Sequence, residues 1–248
     1  MPKALVTGAS SGIGAEIAKI LSEKGYDVIL VARREDRLSA LQETLKTKSE
    51  VFVCDLSCME ELERLTKAFP DIDILVNNAG LGVYGEFTDT DFRQENLMID
   101  VNIRALHFLM KKYIPIMAEK GGKILNVASS AAFCSGPLLS SYYASKAYVF
   151  RLSNGVREEL RRSGIPVSIT VFCPGPVETE FGEVSGSNLG TGIITAEFAA
   201  KKAVEGMLKG KKIIVPTLTM KFTRFLAKIL PDSLLVRFMY NIQQSKRR

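Results

Sequence analysis

The stretch SSYYASKAY, residues 140–148, sets two tyrosines ahead of a lysine. Tyr142 lies four residues before Lys146 and Tyr143 three, and on a helix both intervals bring side chains together. A free phenol loses its proton only near pH ~10, so unaided it exchanges protons poorly near neutrality. An ammonium beside it stabilises phenolate and turns ordinary packing into a candidate proton-transfer pair. Spacing to the lysine alone leaves both tyrosines eligible.

A second chemical stretch is VTGASSGIGAEIA, residues 6–18. Gly8, Gly12 and Gly14 let the backbone turn sharply and approach a ligand closely. With Ala9, Ser10, Ser11 and Ile13 they offer free N–H groups at a helix start, where the dipole favours a pyrophosphate. A strand pattern precedes this turn and a helix pattern follows it, which is the context a dinucleotide site requires. The next strand ends in VARRED. Dinucleotide sites often carry an acid there for the ribose 2′-hydroxyl; this chain has Ala32, then Arg33 and Arg34. Guanidinium groups bind a 2′-phosphate through charge-assisted hydrogen bonds. NADP(H) is therefore expected over NAD(H). Arg33 is the stronger candidate, since Arg34 and Arg37 also read as the solvated start of a helix.

The elements that must position these groups alternate along the chain. Strand runs KALVT, DVILVA, EVFVCD, DILVNNAG, GKILNVASS, VSITVFCPG and KKIIVP are separated by helical patterns. The helices fall at about 12–24, 35–45, 58–68, 91–119 (broken near Pro115), 141–162 and 196–210. The strands are rich in Val, Ile and Leu with no polar alternate face, as in strands covered on both sides. The expectation is one α/β domain over 1–216: a doubly wound, mostly parallel sheet of about seven strands with helices on both faces. Residues 217–248 form an extension rather than a second domain.

Five ordered motifs now carry a resemblance: TGASSGIG at 7–14, NNAG at 77–80, Asn102 in DVNIRA, Ser129-x12-Tyr142-x3-Lys146, and PGPVET at 174–179. Over about residues 3–180 the chain resembles a short-chain dehydrogenase/reductase, a Rossmann-fold family. The resemblance selects Tyr142 as general acid for carbonyl reduction and as base in reverse, leaving Tyr143 to line or pack the site. It implies that Ser129 binds the substrate oxygen, that Lys146 also holds the nicotinamide ribose, and that Asn102 holds a water linking Lys146 to solvent. Asp55 and Leu56 would contact adenine, and Asn78, Ala79 and Gly80 the adenine ribose. Pro174, Gly175, Val177 and Thr179 would face the nicotinamide. Lys146 is expected to lower the Tyr142 pKa. An apolar carbonyl substrate (3-oxoacyl, steroid-like or another lipophile) is expected, against a wall of Phe133, Leu138, Leu139 and Phe181. The glycine-rich segment 182–195 would close over it. A homodimer or homotetramer is expected.

Two rival classes stand beside this reading. A nucleotide-binding regulatory or scaffold protein would keep the NADP(H) site without turnover, but binding alone does not require Ser129, Tyr142 and Lys146 together. A sugar-nucleotide epimerase of related fold is disfavoured by modest length and by the lack of an obvious second substrate domain.

Composition narrows the rest. Apolar content of 46% with 24% charged residues suits a globular chain rather than a disordered one. One histidine, His107, and four scattered cysteines argue against a zinc site or a Ser-His-Asp triad. No run approaches the roughly 20 apolar residues of a membrane span. The opening MPKALVTGAS reads as strand and turn rather than as a secretory leader, and with the few cysteines it suits the cytoplasm. The net charge of +6 is uneven, with ten basic residues and one acid, Asp232, from Lys209 onward. That concentration disfavours a whole-surface nucleic-acid binder. Within 217–248, Phe222, Phe225, Leu226, Ile229 and Leu230 share one helical stripe, with Lys221, Arg224 and Lys228 beside it. Two readings stay open: the stripe covers the core or a second subunit, or it rests on an anionic membrane.

Overall fold

The computed structural model describes residues 1–186 and 192–245. Its first half runs β1 (Lys3–Thr7), α1 (Gly12–Glu23), β2 (Asp27–Ala32), α2 (Glu35–Gln42), β3 (Ser49–Val53), α3 (Met59–Ala68), β4 (Ile74–Asn77), α4 (Phe92–Ile99) and α5 (Leu106–Lys120). The second half runs β5 (Gly122–Val127), α6 (Ser140–Arg162), β6 (Val167–Phe172), β7 (Val177–Glu178), α7 (Phe181–Ser185), β8 (Ile194–Thr195), α8 (Ala196–Leu208), β9 (Ile213–Ile214), α9 (Leu218–Ile229) and α10 (Asp232–Gln244).

Seven strands pair in parallel in the order β3-β2-β1-β4-β5-β6-β9. Successive residues of one strand feed opposite cores, which is why the strands lack a polar face. Leu5, Ile29 and Leu75 pack beneath α3, α5 and α6, whereas Ala4, Val6, Val28 and Val76 pack beneath α1 and α8. β1 pairs with both β2 and β4, so the strand order reverses at β1. Such a reversal opens a crevice at the carboxyl ends of the strands. The smaller β7-β8 pair lies beyond β6 in the chain.

The break expected near Pro115 falls elsewhere. Pro115 sits inside α5, while residues 100–105 form a wider π turn between α4 and α5. A proline forfeits one backbone donor, a loss that packing around α5 tolerates; Tyr113 and Met117 on either side are fully buried. The π turn instead has a local use, because it carries the buried Asn102 toward the crevice. Among the described residues no helix is long and apolar enough to cross a membrane.

The C-terminal extension forms α9 and α10. Leu235, Met239 and Gln243 of α10 are buried, and the two apolar ones pack with Ala131, Leu139 and Tyr143 in a third cluster. The stripe expected to cover the core does not do so: Phe222, Phe225 and Ile229 of α9 are all exposed. The opposite face makes the inward contacts, with Met220 against Gly175 and the Arg224 guanidinium 5.3 Å from the Phe133 ring.

Candidate active site

The turn after β1 is closed by contacts that only glycine permits. A Cβ on Gly14 would lie 2.3 Å from the Gly8 carbonyl oxygen, and one on Gly12 would lie 2.8 Å from Thr179. Gly8 and Gly12 also adopt left-handed φ values of 65° and 54°. Asn78 ties the turn to β4: its Nδ2 donates to the carbonyls of Thr7 at 3.0 Å and Gly8 at 3.2 Å. Ser11, at the start of α1, gives no side-chain cap to the helix. The first-turn N–H groups of α1 therefore face the crevice uncapped, as an anion cradle does.

The crevice holds about 420 Å³ and runs from this turn to α6. Of the residues expected at the cofactor, all line it except Ala9 and Gly14. Ala9 is fully buried in the core, and Gly14 serves helix-to-strand packing. Arg33 lines the crevice, exposed, without a side-chain hydrogen bond among the described residues. Arg34 donates to Ser10 Oγ at 3.0 Å, to Ser11 Oγ at 3.0 Å and to Glu180 at 2.8 Å. Arg37 also pairs with Glu180. Hydrogen bonds from Arg37 and Arg34 hold the Glu180 carboxyl at about 2. Burial pushes the Asp55 carboxyl up, but the Ser57 N–H and Oγ–H outweigh it and leave Asp55 below the usual range.

At the other end, α6 presents Tyr142 and Lys146 to the crevice. Lys146 Nζ donates to the Val127 carbonyl at 3.0 Å and lies 5.9 Å from the centre of the Tyr142 ring. Burial lowers its pKa to about 8. Desolvation raises the Tyr142 phenol to about 12, against a smaller lowering influence of the Ser129 side chain. This corrects the expected depression. Burial of the phenol sets the direction. Asn102 stands one step behind: its Oδ1 accepts from the Leu81 N–H at 2.8 Å, and its Nδ2 donates to Ser145 Oγ at 3.0 Å. A Cβ on Gly80 would lie 3.1 Å from Lys146 Nζ and 3.3 Å from Asn102 Oδ1, so both flank that glycine.

The structure brings two of the four expected wall residues to the crevice. Leu139 and Phe181 line the crevice, and the Phe181 ring lies 5.2 Å from that of Tyr142. Phe133 turns away to stack on Phe150 at 5.4 Å, and Leu138, held at φ 65°, lies outside the lining. The centre of the expected closing segment, 187–191, lies outside the described residues. Among the lining residues that escaped the sequence reading, Glu180 and Gln243 carry polar groups: one pairs with arginines and one with Tyr143. Glu180 had a signal, an acid after PGPVET facing the arginines of VARRED. Gln243 had none, because its place depends on how α10 folds back. Its Nε2 donates to Tyr143 Oη at 2.5 Å, and its carbonyl accepts from Tyr84 Oη at 2.7 Å.

Fold and crevice together define a dinucleotide-binding oxidoreductase framework, and comparison with known proteins agrees. A family profile described as short chain dehydrogenase matches residues 2–189, and the chain belongs to that family. It is 37% identical over 185 residues to an uncharacterised oxidoreductase of Staphylococcus epidermidis, covering 73% of this chain and 80% of that one. A short-chain dehydrogenase from Sphingobium yanoikuyae in complex with NADPH superposes with a TM-score of 0.82 at 28% identity, over 94% of this chain and 98% of that one. A short chain dehydrogenase/reductase from Burkholderia phymatum in complex with NAD shares the fold, with a TM-score of 0.83 at 23% identity, over 91% of this chain and 92% of that one. The protein is an oxidoreductase of a family acting on alcohols and carbonyls with a nicotinamide cofactor.

Proposed function

We propose that the protein is an NADP(H)-dependent reductase of an apolar carbonyl compound, with Tyr142 as its proton donor. The observation that carries this reading is the convergence of Ser129, Tyr142 and Lys146 on one end of the glycine-turn crevice, with Lys146 Nζ 5.9 Å from the Tyr142 ring centre. A phenol raised to about 12 holds its proton at neutral pH, so the proton to be donated is in place, and the Lys146 charge would ease its release. A carbonyl oxygen seated between Tyr142 and Ser129 would accept from both hydroxyls as charge develops on it. Lys146, fixed by Val127, adds positive charge beside the phenol and would bind a ribose hydroxyl. Asn102 positions the neighbouring backbone of Leu81 and the Ser145 hydroxyl rather than touching the crevice. The bound nicotinamide would supply or remove the hydride.

Four observations support the finer parts. Ala32 at the end of β2 leaves no carboxylate to repel a 2′-phosphate. Arg33 makes no side-chain hydrogen bond among the described residues and lies within electrostatic reach of Asp55 beside the crevice, and Arg34 joins Ser10 and Ser11 at its rim. Leu139, Phe181 and Val184 give the substrate end an apolar lining. Phe92, Ile99 and Ile116, exposed on α4 and α5, support self-association as a homodimer or homotetramer. A panel of lipophilic ketones and 3-oxoacyl thioesters, followed by NADPH absorbance, tests the reading. Turnover of at least one supports it; tight NADPH binding with no turnover across the panel favours a regulatory or scaffold role.

A further inference from the structure

The outer surface of the α9–α10 hairpin carries six exposed large apolar side chains. Leu218, Phe222, Phe225 and Ile229 recur at four- and three-residue steps along α9, and Leu234 and Phe238 continue on α10. These six side chains are between 54% and 81% exposed. They are not spare core residues, because the inner face is already occupied. There Met220 meets Gly175, Arg224 lies on Phe133 and Phe150, and Leu235 and Met239 meet the Tyr143 cluster. Such apolar exposure in a contiguous patch marks a surface that something covers.

The charge around the patch says what. Lys221, Lys228 and Arg237 are all exposed, and none forms an ion pair among the described residues. At the start of α9, Lys202, Lys209, Lys211 and Lys221 ring a hollow of about 190 Å³, with Glu205 the one acid in its lining. From Lys209 onward the chain carries ten basic residues against Asp232 alone. A two-fold pairing of this face with a second copy would set the basic rim against itself, at a Coulomb cost. An anionic lipid surface has the opposite charge, and its acyl boundary takes a row of phenylalanines.

We propose that the hairpin docks the protein on anionic membranes, with Phe222, Phe225, Ile229 and Phe238 entering the acyl boundary and Lys221, Lys228 and Arg237 meeting headgroups. The inner face of the same hairpin brings Gln243 to the crevice wall. Docking therefore sets that wall against lipid, where a lipophilic compound is concentrated. The docking itself needs no turnover and stands apart from the proposed activity.

The test is flotation of the full-length protein with phosphatidylcholine vesicles and with vesicles that also contain phosphatidylglycerol. Binding is expected to the second kind only, and to fade at high salt as charges are screened. The variant Phe222→Ser/Phe225→Ser/Ile229→Ser should lower partitioning by about tenfold or more. Charge reversal of Lys221, Lys228 and Arg237 to Glu should lower it by about fivefold or more per residue. Thermal unfolding of each variant checks folding. Should the triple serine variant unfold, the charge reversals carry the test, since they alter exposed side chains alone. Equal flotation with both vesicle kinds, flotation with neither, or a serine variant that keeps flotation but halves the particle mass would overturn the proposal. The last outcome would assign the face to a second copy.

Discussion

Tyr142 and Tyr143 are sequence neighbours with separate surroundings: their ring centres lie 6.2 Å apart with planes at 76°, and Tyr142 shares the crevice end with Ser129 while the Tyr143 hydroxyl meets Gln243. The adjacent residues of α6 thus split two tasks, one toward the crevice end and one toward the C-terminal helix. The Tyr143 ring lies so close over Gly136 that a Cβ there would come within 2.4 Å. Its orientation is set by packing as much as by its hydroxyl.

Tyr143→Phe keeps the ring and deletes the acceptor of the Gln243 Nε2 bond. One hydrogen bond is worth about 1 kcal/mol net, which for a chain of this size lowers the melting temperature by about 2–4 °C. Carbonyl reduction should stay within about threefold of the parent, since that is less than the same free energy applied to a barrier. Calorimetry and steady-state kinetics on one preparation check both halves.

Carbonyl reduction should depend on pH through Lys146 rather than through Tyr142. With its pKa lowered to about 8, Lys146 is charged below that pH and loses its charge as pH rises through it. Tyr142, raised to about 12, remains protonated throughout that range. The profile of kcat/KM should therefore be flat near neutrality and fall above pH about 8. In Lys146→Arg the cation persists, and the residual rate should show no step there.

Arg33→Asp tests the cofactor preference. Replacing the guanidinium by a carboxylate removes a charge-assisted partner and adds repulsion toward a 2′-phosphate. NADPH affinity should fall between about tenfold and a hundredfold, with NADH affinity unchanged or improved. Fluorescence titration of both cofactors measures it; an unchanged ratio would leave Arg34 and Ser10 as the recognising pair.

Gly14→Ala should destabilise the fold by roughly 1–3 kcal/mol, because its methyl group meets the Gly8 carbonyl and the turn must shift. Urea unfolding followed by circular dichroism reads the loss. The same shift would disturb the uncapped N-terminus of α1, so cofactor affinity should fall with it.

Much of the framework is legible in residue order. Branched aliphatic runs such as DVILVA, without polar alternation, correspond to strands sandwiched between two cores, and their spacing to helices gives the parallel sheet. The crevice was legible for the same reason: glycines that need a close approach, and residues just past strand ends, converge where the strand order reverses. What escaped depends on contacts between distant segments. No local signal says that residues 100–105 form a π turn or that Pro115 is tolerated within α5. Phe133 and Leu138 are apolar beside the site in sequence, yet Phe150 and Arg224 draw the first away and a left-handed turn withdraws the second. The stripe of α9 was legible as amphipathic while its direction stayed open, because helical periodicity gives the existence of a face and not what it faces. The Tyr142 pKa was misjudged by weighing a nearby charge without the desolvation that only the folded crevice imposes.

The role of Tyr142 is the centre of this account, and one substitution addresses it. In Tyr142→Phe, NADPH binding should persist within a few-fold, since the glycine turn and Arg33 are untouched. Reduction of any ketone turned over by the parent enzyme should fall by about 10²–10⁴, the contribution of a positioned general acid. Single-turnover NADPH oxidation, measured beside Tyr143→Phe, makes the comparison direct. A Tyr142→Phe rate near that of the parent, with Tyr143→Phe inactive, would contradict the assignment.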